Sequence, residues 1–476
     1  MSTPLPLIRV LDVRNPRTGR NDYQIQPATA TQVREVARRL RANQPAWAGR
    51  KVESRCEVLS AWAEALVGAR TDLIDALAAD TGRYAMTVGE IDAAIRNVRR
   101  WASEAPALMR ESEFASRLLP NVRIADQYVP YPLVGCISPW NFPMTLSLID
   151  AVPALAAGAA VLLKPSEVTP RFAAPLARAV AAVPELAAVL QVLQGDAETG
   201  KAIVDTADAV CFTGSVPTGR QVAAAAAARF IPAFLELGGK DPAIVLRNAD
   251  LDIASDAILR GAIANNGHAC MSIERVYVDQ EISEAFVAQL TRKAAAVSLS
   301  WPDSRQGYLG PLIFAPQAEI IRSQLADAVA KGARIQTGGE IENLGGGLYC
   351  RPTVVVGVNH TMRLMREETF GPIVPVMPFA TVDAAVELAN DSEFGLSACV
   401  FAGSVEEGFE VGRRIDAGGI SINDACMTYM TYEGEKNSFK FSGMGGSRMG
   451  GSALRRFFRR KALIMQHGRA AGVPRS

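Results

Sequence analysis

The 476-residue sequence predicts an α/β protein with parallel sheets and at least two domains. Three observations carry this. Short apolar runs at 160–163, 190–193, 209–212 and 233–237 are spaced by helical stretches at 170–183, 197–204 and 218–228. Strands separated by helices of this length form parallel βαβ units. A second series of the same kind starts at residue 242, with a helix at 251–264, a strand at 275–278 and a helix at 284–297. It continues with a helix at 316–331, opened by Pro316 at the first position, where proline is tolerated, and a strand near 353–356. Finally, the length exceeds what one hydrophobic core usually supports. Gly238–Gly239, between the two series, is the natural hinge.

The elements before the first series follow in order. Residues 31–110 read as helices. Thr31 is expected to cap the first, with Glu35 in its first turn and Val33, Val36, Ala37 and Leu40 on one face. Val58, Leu59, Trp62 and Leu66 mark the second. Residues 123–129 and 132–137 read as strands around Pro130–Tyr131–Pro132. Residues 144–163 are mostly apolar, but Asp150 and Pro153 interrupt them and Lys164 closes them. We read this stretch as a buried helix followed by a buried strand, not a membrane span.

Bulk composition excludes several classes. Apolar residues make up 49% and charged residues 21%, and the net charge is +1. No nucleic-acid or acidic-membrane partner is implied. Residues 1–10 lack the basic start and apolar run of a secretory leader. The seven cysteines are odd in number and scattered, which argues against a disulfide framework and for a reducing compartment. With three histidines and no Cys-x-x-Cys, no metal site is expected. A serine-hydrolase elbow is absent.

Six motifs carry chemistry. Pro139-Trp140-Asn141-Phe142-Pro143 fixes a short turn after a strand. Held so, Asn141 can donate to a developing oxyanion, or simply cap a helix. Lys164-Pro165-Ser166-Glu167 ends a strand, where open α/β sheets bind ligands; a solvated turn is the alternative. The run from Phe212 through Thr213, Gly214 and Ser215 to Gly219 opens a helix whose N–H groups can hold phosphate. Arg220 and Gln221 stand where a P-loop needs Lys and Ser/Thr, so a nucleotide hydrolase is rejected. In Glu236-Leu237-Gly238-Gly239-Lys240, burial is expected to raise the pKa of Glu236 and make it a general base; a salt-bridged glutamate is the alternative. Asn266-Gly267-His268-Ala269-Cys270-Met271 surrounds a thiol with small residues. Glu367-Glu368-Thr369-Phe370-Gly371-Pro372 sets a carboxylate and a ring before a Gly-Pro turn.

In order and spacing, including the 34 positions from Glu236 to Cys270, these motifs resemble the NAD(P)-dependent aldehyde dehydrogenase superfamily over about residues 26–465. Minor signatures agree: Asp80-Thr81-Gly82-Arg83, Gly310-Pro311-Leu312, Arg351-Pro352-Thr353, Phe394-Gly395-Leu396, Ile422-Asn423 and Ser442-Gly443-Met444-Gly445. The resemblance implies a Rossmann-like NAD-binding domain (1–121 and 136–238), an α/β catalytic domain (239–434) and a small β oligomerisation arm (122–135 and 452–466). It implies that Cys270 attacks the aldehyde and that Asn141 and the Cys270 N–H hold the oxyanion. Hydride transfer then leaves a thioester, and Glu236 activates the water that hydrolyses it. Ser138, Pro139, Trp140, Lys164, Ser166, Glu167, Gly195, Phe212, Gly214, Ser215, Leu237, Gly238, Glu368 and Phe370 are the implied cofactor contacts. Glu167 should repel a 2′-phosphate, so NAD is expected, with NADP possible. Members that acylate coenzyme A generally lack a glutamate at the position of Glu236, so a free acid is the expected product; a coenzyme A-acylating enzyme and a semialdehyde dehydrogenase are the alternatives.

Two departures stand out. His268 replaces a common glutamine, and either tunes the thiol or fills space. Asn437-Ser438-Phe439-Lys440-Phe441 replaces a common Pro-Phe-Gly-Gly, which leaves the substrate-side loop open. Met427-Thr428-Tyr429-Met430-Thr431-Tyr432 falls at the substrate entrance of the family and suits an apolar or aromatic aldehyde. The run Cys270-Met271-Ser272-Ile273-Glu274-Arg275 resembles aromatic-aldehyde members such as salicylaldehyde and vanillin dehydrogenases. The basic segment 455–461 reads as an arm that joins a partner subunit. A cytoplasmic homodimer or homotetramer is expected.

Overall fold

The structure, a computed structural model, describes residues 9–469. Residues 1–8, part of the amino-terminal stretch read above for a leader, lie outside the described residues. Four helices, Ala30–Ala48, Val52–Gly68, Arg70–Thr81 and Tyr84–Leu108, come first. Thr29, not Thr31, caps the first. Its hydroxyl accepts from the Gln32 N–H at 3.2 Å, and the Gln32 side chain accepts from the Thr29 N–H at 2.8 Å. Such reciprocal capping needs an acceptor three residues on; from Thr31 that residue is Arg34, which has none. Val33, Ala37, Leu40, Leu59 and Trp62 are buried at the expected spacing.

The first sheet has six strands in the order Gly443–Met444, Ala233–Glu236, Ala209–Thr213, Leu133–Ile137, Ala160–Lys164, Leu190–Val192. All neighbours are parallel except the edge pair Gly443–Met444 with Ala233–Glu236. The chain runs outward from Leu133–Ile137 to Ala160–Lys164 and Leu190–Val192, then crosses back to Ala209–Thr213 on the other side. The order therefore reverses at Leu133–Ile137, and ligands bind outside the strand ends at such a switch point. The second sheet runs Arg334–Thr337, Thr353–Val356, Ile373–Phe379, Ile273–Asp279, Asp241–Val245, Ser397–Phe401, Gly419–Ile422. Only its first edge strand is antiparallel. Residues 144–163 fall in the helix Pro143–Ala157 and the strand Ala160–Lys164. Among the described residues no helix is long and apolar enough to cross a membrane. Pro316 stands just before its helix, Gln317–Ala330, rather than at its first position.

One apolar core joins the early helices to the first sheet and takes in Ala453, Leu454 and Phe457 from the carboxyl-terminal segment. Two more cores pack against the second sheet. Beyond Phe457, the strand Phe458–Gln466 pairs antiparallel with Val122–Pro130, which also pairs with Glu113–Ala115. Phe114, Leu463 and Ile464 are exposed on this arm, Ile464 by 69%.

The carboxyl-terminal segment is also tied down by charge. Arg448 donates to Asp150 at 2.6 Å and to the Thr213 hydroxyl at 2.8 Å, and Arg456 pairs with the other oxygen of Asp150. All three charged side chains are buried. Removing one partner of a buried ion network strands the other charges. Asp150→Asn is expected to lower stability by about 3–5 kcal/mol, seen as a fall in the urea midpoint with the slope unchanged.

Candidate active site

The loops that leave the first sheet at its switch point enclose a cavity of about 290 Å³. Pro139, Trp140 and Asn141 follow Leu133–Ile137, and Gly214 and Ser215 follow Ala209–Thr213. Leu237 and Gly238 follow the next strand, and Cys270, Glu368 and Phe370 enter from the second sheet. Ten residues expected from sequence thus line one cavity.

The thiol loop is held in an uncommon backbone conformation. Asn265, Asn266 and Gly267 all have positive φ, at 55°, 59° and 72°. A side chain at Gly267 would put its Cβ 2.2 Å from the Gly371 backbone, so only glycine fits. The asparagines are fixed by hydrogen bonds. Asn266 donates to the Pro311 carbonyl at 2.8 Å and accepts from the Gly310 N–H at 2.9 Å. Asn265 donates to the carbonyls of Asn141 and His268, both at 2.9 Å. The minor signature Gly310-Pro311 serves this loop, while Arg83 serves the neighbouring turn: it donates to the Asn141 carbonyl at 2.6 Å and covers the Phe142 ring. The two left-handed asparagines store strain that the surrounding hydrogen bonds hold in place, a pattern found at functional sites.

Asn141 is buried, and its Nδ2 donates to the His268 carbonyl at 2.9 Å. This fixes the amide against the backbone two residues before Cys270. It does not cap the following helix, whose flanking residue is Phe142. His268 is fully buried, edge-on to Trp140 and stacked on Phe370. Neither of its ring nitrogens has a partner among the described residues. Burial, with Arg83 nearby, pushes its pKa down to about 3, so the ring is neutral.

Glu236 corrects the expectation of a raised pKa. Lys436 Nζ lies 2.9 Å from one carboxylate oxygen, and the Ser438 hydroxyl donates to the other at 2.9 Å. Burial pushes the carboxyl up, but Lys436, Arg448 and these hydrogen bonds outweigh it and hold the pKa below the ordinary value. Glu236 is thus salt-bridged, which overturns the expected rise in its pKa but leaves an ionised carboxylate able to accept a proton. Cys270 is only partly buried, yet its thiol is pushed up to about 12, first by desolvation and then by the charge on Glu236; Lys436 acts in the opposite sense. Asp241 and Glu368 add to the upward push. Glu368 is itself raised to about 8, mainly by burial, and accepts from the Gly239 N–H at 3.0 Å.

The remaining expected contacts lie around the cavity rather than on its wall. Ser138 is buried against the Ser147 hydroxyl at 2.7 Å, and its N–H donates to the Lys164 carbonyl at 3.0 Å. Lys164, Ser166 and Glu167 follow the neighbouring strand end, with Lys164 Nζ 3.2 Å from Glu167. Gly195 lies beyond Leu190–Val192, against Thr199. Phe212 packs under Gly214, where a Cβ would come 2.5 Å from its ring. A Cβ at Gly238 would come 2.6 Å from the Glu368 carboxylate. Bare backbone at Gly214 and Gly238, helix N–H groups after Ser215 and a lysine–carboxylate pair at a strand end make a donor set that fits a dinucleotide.

Sequence reasoning missed Leu146, Phe314, Gln317 and Ile320 on the cavity wall, and named Thr213 only as part of its motif. It also missed Lys436 and Arg448 beside Glu236. The signal for Lys436 was at hand: it adjoins the run flagged as departing from the common pattern. Met427–Tyr429 forms a short 3-10 turn against the thiol loop. There Thr428 contacts Met271, and the Tyr429 and Phe142 rings lie 6.0 Å apart.

Comparison with known proteins gives a consistent picture. The model of the aldehyde dehydrogenase family matches residues 8–463. A protein from Mycolicibacterium smegmatis, provisionally named succinate-semialdehyde dehydrogenase [NADP(+)], is 34% identical over 93% of this chain and 87% of its own. The solved structure of a provisionally named aldehyde dehydrogenase from Anabaena variabilis is 51% identical with a TM-score of 0.96, covering 98% of this chain and 99% of that one. Betaine aldehyde dehydrogenase from Staphylococcus aureus, solved with NAD+, is 26% identical with a TM-score of 0.91, covering 97% and 95%.

Proposed function

The chain belongs to the aldehyde dehydrogenase family and oxidises an aldehyde to the acid with NAD(P), and we propose that Cys270 is its nucleophile, Asn141 its oxyanion donor and Glu236 its general base. The observation that carries this is the meeting of Cys270, Asn141, Gly238 and Glu368 on one cavity at the switch point of the first sheet. The Cys270 thiolate attacks the aldehyde carbon, and the Asn141 amide and the Cys270 N–H stabilise the oxyanion that forms. When bound, the nicotinamide cofactor supplies the hydride acceptor that takes the adduct to the thioester oxidation level. Glu236 accepts a proton from the water that attacks the Cys270 thioester, releasing the acid and the thiol.

Ser138, Pro139, Trp140, Lys164, Ser166, Glu167, Gly195, Phe212, Gly214, Ser215, Leu237, Gly238, Glu368 and Phe370 form the proposed cofactor site, within a first domain that ends at Gly238–Gly239. Glu167 keeps a carboxylate at the strand end, which favours NAD over NADP. The Phe142 and Tyr429 rings beside Met430 favour an apolar or aromatic aldehyde. The relatives named for succinate semialdehyde make a charged semialdehyde the second reading. The exposed apolar residues of the 458–466 strand favour assembly as a homodimer or homotetramer, and the free cysteines favour the cytoplasm.

Initial rates of NADH and NADPH formation across benzaldehyde, a long-chain aldehyde and succinate semialdehyde test this reading. We expect kcat/KM to favour the apolar aldehydes. We expect NAD to be favoured by about tenfold, the ratio that roughly 1.4 kcal/mol of repulsion gives. Activity confined to succinate semialdehyde would move the substrate to the second reading.

A further inference from the structure

Both oxygens of the Glu236 carboxylate are engaged from one short segment, by Lys436 and Ser438. The ion pair is buried, with side-chain exposures of 7% for Lys436 and 15% for Glu236. Lys436 has little freedom: its N–H donates to the Ser447 hydroxyl at 3.1 Å, and its stem lies against Gly419. A buried ion pair adds little stability over an apolar pair of similar volume, so packing alone does not explain it.

The charges around it supply a reason. Cys270 is opposed by three carboxylates: Glu236 at the end of Ala233–Glu236, Asp241 at the start of Asp241–Val245, and Glu368 before Ile373–Phe379. Lys436 faces Glu236, Asp241 and Cys270. The other cation on Glu236, Arg448, is already paired with Asp150. Glu274 faces Asp241 but is held by Lys240 at 2.7 Å.

We propose that Lys436 is a positioning residue of the active site: with Ser438 it fixes the Glu236 carboxylate, and its charge lets an ionised carboxylate and a thiolate exist side by side. The inference rests on the reading that Cys270 is the nucleophile and Glu236 the base. Lysine at 436 lowers the free energy of the thiolate and keeps Glu236 deprotonated before the thioester forms. Ser438 orients the carboxylate without adding charge.

The test is the pH dependence of Cys270 alkylation by iodoacetamide, followed by peptide mass spectrometry in the full chain. In Lys436→Met the whole rate–pH profile should be displaced toward higher pH by about one unit, so that alkylation at any one pH slows by about tenfold. Lys436→Arg should restore the wild-type profile. Glu236→Gln should move it down, and Lys436→Met/Glu236→Gln should return it toward wild type. Ser438→Ala should leave the thiol titration in place and slow only the turnover that follows the first NADH. Lys436→Gln replaces Lys436→Met should the latter not fold. An unmoved profile in the methionine or glutamine variant, or no rescue by arginine, overturns the role of Lys436. Activity retained in Cys270→Ala would instead overturn the underlying reading.

Discussion

Cys270→Ala is expected to abolish NADH formation with every aldehyde, lowering kcat on the order of 10⁴-fold or more. No other side chain lining the cavity offers a comparable nucleophile. Cys426, also partly buried, donates its Sγ–H to the Met271 carbonyl at 3.2 Å. The fold should survive, since Cys270 is only partly buried and its side chain takes part in none of the hydrogen bonds that hold the loop. Equal urea midpoints for the two proteins would show this. The wild-type rate of adduct formation should also rise with pH. A thiol pushed up to about 12 is mostly protonated at neutral pH, so each unit of pH adds about tenfold more thiolate. Single-turnover rates measured from neutral to alkaline pH should therefore climb without a plateau. A plateau near neutrality would mean that the thiol is ionised there and that the charges around it act otherwise than the structure implies. Substantial activity in Cys270→Ala would remove Cys270 from the mechanism.

The fold was legible because its signals are local. Apolar runs spaced by amphipathic stretches locate five strands of the first sheet and two of the second to within a residue or two, as at Ala209–Thr213 and Thr353–Val356, while strands such as Ser397–Phe401 and Gly419–Ile422 were not read. The aldehyde dehydrogenase family itself was legible in motifs that keep order and spacing over nearly the whole chain. The misreadings have a common cause: each depended on a partner that spacing does not reveal. Thr31 was a reasonable cap until Gln32 is seen to reciprocate with Thr29. Glu236 was expected to be desolvated and basic. Its desolvation is real, but Lys436, distant in sequence, is adjacent in space and reverses the outcome. Phe314, Gln317 and Ile320 reach the cavity because one helix start happens to face it, which no periodicity encodes. His268 is a similar case. Its position beside the thiol suggested a charged group, but the packing of Trp140 and Phe370 around the buried ring keeps it neutral, which no local signal encodes.

Glu236→Gln should separate the two halves of the reaction. Glutamine keeps the size of the side chain and can still accept from Ser438, but it cannot take a proton from water. The first half needs only the thiolate and the oxyanion donors, so each active site should still release one equivalent of NADH in a rapid burst. The following steady state should fall by about 10²–10⁴-fold, the usual contribution of a general base. Mass spectrometry of the quenched protein should then find the acyl group on Cys270. The pH dependence of the wild-type second half has a definite sign. Lys436, Arg448 and the Ser438 hydroxyl hold the Glu236 carboxyl below its ordinary pKa. The base is therefore ionised across the neutral range and is lost only as pH falls through that lowered value. Thioester hydrolysis should stay flat on acidification down to the ordinary carboxylate range, while adduct formation falls steadily. The slow step of the wild type should accordingly pass from hydrolysis at alkaline pH to thiol attack at acid pH, and the burst should shrink as it does. A Glu236→Gln enzyme that turns over at the wild-type rate, or that shows no burst, would assign the water-activating role to another group.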